Sequence, residues 1–110
     1  MIGVACKKNV EDIRESPAFK LLELLEKRGA VVEFYDPYVD KIQSHEHAQF
    51  SGRVGIKLEP TAVASYNSLF IVTDHDNIDY KMLCEHGKLI VDTRNACARA
   101  GILSQKVVKA

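Results

Sequence analysis

The sequence predicts an α/β protein, built as a three-layer sandwich in which a mostly parallel sheet is covered by helices on both faces. Short, nearly continuous apolar runs recur along the chain, as in strands that are buried on both faces. Amphipathic or capped helical segments separate these runs. A strand, a helix and a second strand follow one another within about 35 residues, which is the pattern of a right-handed βαβ unit.

The first βαβ unit opens on the apolar run at residues 2–6, which predicts a buried strand. Since no loop leads into this strand, we expect a further part of the protein to precede it. Ser16 and Pro17 predict a helix start, because Ser caps free N–H groups and Pro fits the first helical turn. We expect this helix over residues 17–28, and the β-branched and aromatic residues 31–35 predict the second strand.

The remaining elements follow from the same signals. Residues 40–58 are polar and predict a long surface loop, with a short strand near Ile56. Four further elements are expected: a helix at 60–67, a strand at 69–73, a helix at 77–86 capped by Asp76, and a strand at 89–92. The weakly patterned tail, residues 96–110, is expected to be helical near residues 104–108.

Composition narrows the class of protein. Lys plus Arg and Asp plus Glu both number 15, and this zero net charge argues against a general binder of nucleic acids or anionic membranes. No apolar run reaches the roughly 20 residues that a membrane span requires. The odd set of three cysteines, Cys6, Cys84 and Cys97, indicates free thiols in a reducing compartment. We therefore expect a soluble cytoplasmic protein.

Basic residues follow two of the predicted strands. Ligands of open parallel sheets bind beyond the carboxyl ends of the strands, where residues 6–15, 74–76 and 92–95 are expected to lie. Lys7 in the first segment and Arg94 in the last suit a diphosphate, because Arg offers a planar fork and Lys a point charge. The same residues also fit solvated loop charges that pair locally. No glycine-rich dinucleotide motif or P-loop motif decides between these readings.

Histidines and cysteines give no clear catalytic or metal site. His45 and His47 lie two residues apart without a nearby cysteine pair, which does not fit zinc spacing. Cys84 and His86, at the end of a predicted helix, are more typical of core and surface positions than of ligands. His75 has an acidic residue on each side, but no nucleophile accompanies it, so it is not assigned a catalytic role.

Several separated motifs occur together. Residues 3–18 read GVACKKNVEDIRESPA, and they are followed by Gly29-Ala30, Tyr35-Asp36-Pro37, Thr73-Asp74-His75 and Asp92-Thr93-Arg94-Asn95. In their wording, order and spacing these motifs resemble the C-terminal UDP-binding domain of UDP-glucose/GDP-mannose dehydrogenases, whose opening pattern is G-x-A-[YF]-K followed by D-x-R-E-S. The resemblance covers essentially all 110 residues and is closest to the UDP-N-acetylhexosamine 6-dehydrogenase branch. It implies a Rossmann-like fold.

The resemblance also implies roles for individual residues. Lys7 and Arg94 match the family residues that contact the nucleotide sugar. Arg14 matches the arginine that reaches toward NAD bound on another domain. Cys6 stands at the substrate side where the family usually has Tyr or Phe, which would loosen that wall or mark a different sugar.

The chemistry that the family performs would lie outside these residues. The family oxidises a primary alcohol to a carboxylate with NAD through a thiohemiacetal on a cysteine. The glycine-rich dinucleotide domain and the G-F-G-G-x-C motif that it uses do not occur here. The resemblance thus implies one UDP-sugar-binding domain, residues 1–110, of a longer homo-oligomeric enzyme with an N-terminal domain that binds most of the NAD and a central domain. By itself the chain is expected to bind at best and to catalyse nothing.

Two other classes of protein remain open from the residues alone. A phospho-acceptor receiver module would need an acidic cluster after the first strand, where this sequence has Lys7 and Lys8. A domain that serves only oligomerisation would show apolar surface on its helices.

Overall fold

The sheet is parallel throughout. The computed structural model describes all 110 residues, and its strands are paired in the order β1 (Leu69–Ile71), β2 (Ile90–Asp92) and β3 (Val107–Lys109). Ile2 extends the sheet through parallel bridges to Ile71 on one side and to Tyr35 on the other. The sheet therefore has five neighbouring segments, which are Ile2, Tyr35, β1, β2 and β3 in chain order. Side by side they have the order 2-1-3-4-5, which is a doubly wound arrangement.

Helices cover the two faces of this sheet. They are α1 (Pro17–Lys27), α2 (Pro60–Ser65), α3 (Tyr80–His86) and α4 (Ala96–Arg99), and none is long and apolar enough to span a membrane. On one face, α1 packs with Val4 and Val72. On the opposite face, α2, α3 and α4 pack with Ile2, Ile71 and Ile90. Alternate residues of the sheet therefore enter two different cores, and the predicted three-layer α/β sandwich is confirmed.

The first two predicted strands are shorter than the sequence suggested. Ile2 and Tyr35 make only isolated bridges, since the next two N–H groups after Gly3 turn away from the sheet. Val4 and Ala5 instead donate to the carboxylate of Asp36, at 2.8 and 3.2 Å. Because a side chain replaces the neighbouring strand as acceptor, the ladder cannot continue there.

One predicted helix begins at a different residue, and another does not form. Asp79, not Asp76, accepts the capping hydrogen bond of α3, from the Met82 N–H at 3.1 Å, so this helix begins at residue 80. Residues 104–108 are not helical, because Val107 and Val108 enter β3 beside β2. β-Branched residues fit a sheet edge better than a helix, and that preference prevails over the weak helical pattern.

The segment at residues 40–58 follows the prediction in part. It is mostly irregular, with one 3-10 turn at Ala48–Phe50 and an antiparallel bridge between Lys41 and Val54. The short strand expected near Ile56 does not form; Ile56 makes a single backbone hydrogen bond, to the Phe34 carbonyl at 2.8 Å. Phe50 folds back against the α1 core, so this loop closes one side of the molecule.

Candidate functional site

The carboxyl edge of the sheet contains the topological switch point. Ile2 lies between Tyr35 and Ile71. The connection from Ile2 to Tyr35 passes through α1 on one face of the sheet, whereas the connection from Tyr35 to β1 passes through α2 on the other face. Connections that depart in opposite directions open a crevice between neighbouring strand ends, and ligands of doubly wound folds bind there. In this chain the crevice lies between the loop after Ala5 and the loop after Val72.

The first of these loops, residues 6–15, is closed on itself. The Cys6 N–H donates to the Asp12 carbonyl at 2.8 Å. Ser16 then caps α1 by accepting from the Ala18 N–H at 3.2 Å, as its Ser-Pro signal predicted. Asn9 and Glu15 have positive φ values of 62° and 56°, a conformation that residues other than glycine adopt at a cost of about 1–3 kcal/mol. The loop thus has a defined, partly strained shape that its surroundings must maintain.

Gly3 brings the two loops close together. Its φ is +86°, and a Cβ at this position would lie 2.5 Å from Thr73 Cβ. Only a residue without a side chain allows this approach. The Thr73 hydroxyl donates to the Ala5 carbonyl at 2.8 Å, which fixes the spacing between the two strand ends.

Arg94 lies at the end of β2 with its guanidinium fixed at one atom. Its Nε donates to the Val72 carbonyl at 2.9 Å, so the side chain crosses the end of β1. Its backbone N–H donates to Asp92 Oδ1 at 3.0 Å. The two terminal nitrogens, Nη1 and Nη2, have no protein partner. They are the donors with which an arginine fork grips a phosphate or carboxylate.

Most other charges at this edge are paired. Lys8 contacts Asp76 at 3.4 Å, Arg14 holds Asp12 through Nε and Nη2 at 3.0 and 2.9 Å, and Arg99 pairs with Asp74. Lys7 makes no ion pair or side-chain hydrogen bond. Glu11 and Glu15 are likewise unpaired, so the free cations of this edge do not produce an overall positive field. Lys7 and Arg94, two of the three predicted substrate residues, are therefore the basic side chains at this edge that form no ion pair.

The predicted NAD residue and the predicted wall residue lie in the same loop. Arg14 is exposed and folded back onto Asp12, and this guanidinium lowers the pKa of the Asp12 carboxyl to about 2. Cys6 is half-buried and its thiol is free. Cys6 directly precedes Lys7, and Arg14 lies further along the same loop at the carboxyl edge.

Two further carboxylates order the backbone around the site. Burial opposes ionisation of Asp92, yet N–H donors from Cys97, Ala96 and Arg94 hold its pKa below the usual range. The pKa of Asp76 is lowered by the Asn9 side chain and by Lys8. Ionised Asp92 thus anchors the turn that carries Arg94.

The buried Asp36–His75 pair was missed by sequence reasoning. Asp36 Oδ2 lies 2.8 Å from His75 Nε2, and both side chains are fully buried. The available signal was that Asp36 directly follows one predicted strand and His75 is the second residue after another, since strand ends in a parallel sheet converge. In the sequence, only Asp74 and Asp76 were considered as partners of His75.

Two cavities lie apart from these residues. One of about 810 Å³ lies between α3 and α4, and its carboxylates Asp74, Asp76, Asp79 and Glu85 outnumber its basic side chains, Lys81 and Arg99. The other, about 520 Å³, is apolar and lies at the opposite edge of the sheet, near Met1 and Val31. Lys7 and Arg94 line neither cavity, so neither is the predicted diphosphate site.

A doubly wound parallel sheet with basic side chains at its switch point defines a Rossmann-like α/β domain. The structure superposes on that of a UDP-D-ManNAc dehydrogenase from Pyrococcus horikoshii with a TM-score of 0.68, at 24% identity, over 98% of this chain and 23% of the other. This likeness confirms the fold.

Sequence comparison defines the family. Residues 1–99 match the UDP-binding domain of the UDP-glucose/GDP-mannose dehydrogenase family, and the chain belongs to that family. It is 31% identical over 106 residues to a UDP-N-acetyl-D-mannosamine dehydrogenase of Methanococcus vannielii and 28% identical over 103 residues to one of Methanococcus maripaludis. Each alignment covers 86% of this chain and 22% of the relative's length. The predicted resemblance to the UDP-N-acetylhexosamine dehydrogenase branch is confirmed.

Proposed function

We propose that this chain binds the diphosphate of a UDP-sugar at the carboxyl edge of its sheet, between Lys7 and Arg94. The observation that carries the proposal is the state of Arg94, whose Nε is held by the Val72 carbonyl while both terminal nitrogens remain free. Lys7 supplies a second unpaired cation from across the switch point. A fixed fork and a mobile point charge together match the two phosphates of a nucleotide sugar.

The substrate class follows from the relatives. Two of them are named UDP-N-acetyl-D-mannosamine dehydrogenases, which favours a UDP-N-acetylhexosamine as the sugar nucleotide of this protein too. Cys6, in place of an aromatic residue, would leave more room at the sugar side of Lys7. The proposed reaction is oxidation of the sugar's C6 alcohol to a carboxylate, with NAD accepting the hydride when bound.

The chain would be one domain of that enzyme, residues 1–110. It spans 22% of the length of the curated relatives it matches, and it carries no glycine-rich dinucleotide loop. Arg14 is the residue of this domain that would contact NAD held elsewhere, after releasing Asp12. The open Lys7–Arg94 edge would be closed by the remaining domains, which would exclude water from the reacting groups. The domain alone would bind the nucleotide without catalysis.

Calorimetric titration of the 110-residue chain with UDP tests the binding site. Each of Lys7→Ala and Arg94→Ala is expected to weaken UDP at least about tenfold, since a charge-assisted hydrogen bond contributes about 1.5–3 kcal/mol. Lys88→Ala is the matched control, because it removes the same charge at the opposite edge of the sheet, just before β2. Equal affinities for the wild type, the control and the double variant would contradict the site assignment.

The enzymatic part needs the complete protein. NADH formation with UDP-N-acetylhexosamines is expected from the full-length enzyme and not from residues 1–110. Arg14→Ala in that enzyme should raise the KM for NAD more than the KM for the sugar nucleotide. A full-length protein that binds UDP but reduces no NAD would overturn the proposed reaction while leaving the binding site intact.

A further inference from the structure

His75 lies directly beneath the proposed UDP site, and its two ring nitrogens face different parts of the chain. Nε2 is 2.8 Å from Asp36 Oδ2, and Nδ1 accepts the backbone N–H of Asn9 at 2.8 Å. An N–H donor requires a lone pair on Nδ1, so the ring proton is on Nε2 and is donated to Asp36. The contacts therefore define a neutral ring with one tautomer.

Asp36 is the anchor of this arrangement. Besides His75, its oxygens accept the N–H groups of Val4, Ala5 and Tyr38, at 2.8, 3.2 and 2.8 Å. Four donors around one buried carboxylate hold it in a fixed position. The Tyr80 hydroxyl also donates to the His75 carbonyl at 2.7 Å, so both ends of this histidine are fixed.

The loop that His75 holds is the loop that carries Lys7. Asn9 lies two residues beyond Lys7 and has a left-handed backbone, with φ at 62°. Its side chain forms two hydrogen bonds with Asp76, at 2.6 and 2.9 Å, but these are exposed, whereas its backbone bond reaches a fully buried ring. An exposed bond competes with water and constrains less than a bond to a group without access to water.

We propose that His75 is a positioning residue of the nucleotide-sugar site: its Nδ1 holds the Lys7–Asn9 loop across the switch point in the shape that binds the diphosphate. This inference rests on the proposed function. His75 would touch neither the ligand nor the reacting atoms. Because one ring nitrogen contacts the immobile Asp36 and the other accepts the Asn9 N–H, His75 fixes the loop relative to Asp36.

Two conservative variants separate the two nitrogens, because the amide of Asn occupies the place of Nδ1 and the amide of Gln that of Nε2. His75→Asn keeps an acceptor for the Asn9 N–H and loses the Asp36 contact, whereas His75→Gln keeps the Asp36 contact and loses that acceptor. We expect His75→Gln to weaken UDP about five- to tenfold, and His75→Asn to bind within about twofold of the wild type despite lower stability. Asn67→Gly is the control, since Asn67 is exposed at the opposite edge of the sheet and its side chain makes no hydrogen bond; it should also bind within about twofold.

Nitrogen NMR of the histidine ring and hydrogen exchange of the Asn9 amide complete the test without UDP. The Nε2–H tautomer and a slowly exchanging Asn9 amide are expected in the wild type, with exchange accelerated in His75→Gln only. An Nδ1–H tautomer, or affinities that follow stability in both variants, would overturn the positioning role and leave UDP binding intact. A wild-type chain with the expected tautomer that fails to bind UDP would overturn the proposed function, and this role with it.

Discussion

Two of the aspartates at the carboxyl edge, Asp36 and Asp12, contact basic side chains at similar distances but in opposite surroundings. Asp36 is 2.8 Å from His75 in the interior, where it also accepts three backbone N–H groups. Asp12 is 2.9 Å from Arg14 at the surface, within a single turn of one loop. The first pair joins chain segments 39 residues apart, and the second joins residues two apart.

The difference shows what each pair can do. A buried carboxylate with several donors fixes the backbone around it, because breaking the arrangement leaves polar groups without partners or water. An exposed pair is screened and exchanges easily with solvent, so Arg14 is free to leave Asp12 for an anionic ligand. The carboxyl edge therefore combines a rigid buried pair, Asp36 and His75, with an exposed residue, Arg14, whose ion pair is easily broken.

Removing the buried carboxylate should have the largest effect. Asp36→Ala leaves the Val4, Ala5 and His75 donors unpaired, and we expect it to lower the free energy of unfolding by about 3–5 kcal/mol. Chemical denaturation followed by circular dichroism measures this loss. Asp40→Ala is the matched control, because Asp40 is exposed and its side chain makes no hydrogen bond; it should stay within about 0.5 kcal/mol of the wild type. A similarly small loss for Asp36→Ala would contradict the conclusion that Asp36 fixes the surrounding backbone.

Asp92 is a second buried carboxylate and extends the comparison to pH. Asp92→Asn should lower the free energy of unfolding by about 1.5–3 kcal/mol at neutral pH, because hydrogen bonds to a charged acceptor are lost. The folded pKa of Asp92 is lowered, so its contribution is present above the unfolded value near about 4 and disappears as pH falls through the folded value. Wild type and variant should hence converge in stability on acidification. A constant difference down to acid pH would exclude Asp92 as the cause.

The exposed pair should show the smallest effect on stability. In Arg14→Gln, the pKa of Asp12 should rise from about 2 toward its ordinary value of about 4, and the loss of stability at pH 7 should be smaller than in Asp92→Asn because both side chains are exposed to solvent. In the wild type the Asp12 pair contributes above the unfolded pKa and is lost as pH falls toward 2. Carbon NMR of the carboxylates measures the pKa directly. A large stability loss in this variant would make the two pairs equivalent and contradict the comparison.

Local signals in the sequence predicted most of the fold. Ser16 and Pro17 predicted the start of α1 without help from distant residues, and the apolar run at 69–73 contains β1. The errors lie where distant groups decide the outcome. Asp76 could have capped a helix, but Asn9 and Lys8, far away in the chain, occupy its carboxylate. Val107 and Val108 become a strand because β2 offers a free edge.

The site was predictable to the same extent. Lys7 and Arg94 follow predicted strands, so their position at the carboxyl edge could be expected from topology. Which charges stay unpaired could not, since that depends on contacts such as Arg99 with Asp74. The Asp36–His75–Asn9 connection was also hidden, because each member precedes or follows a different strand and only the folded order brings them together.

Titration of the nitrogen-15-labelled chain with UDP, followed by backbone NMR, tests the central claim most directly. If the diphosphate lies between Lys7 and Arg94, saturable shifts should be concentrated at residues 6–9 and 92–97 on both sides of the switch point. Residues around the apolar cavity near Val31, at the opposite edge, should not shift. Saturable shifts confined to the α3–α4 cleft, or none at millimolar UDP, would contradict the account.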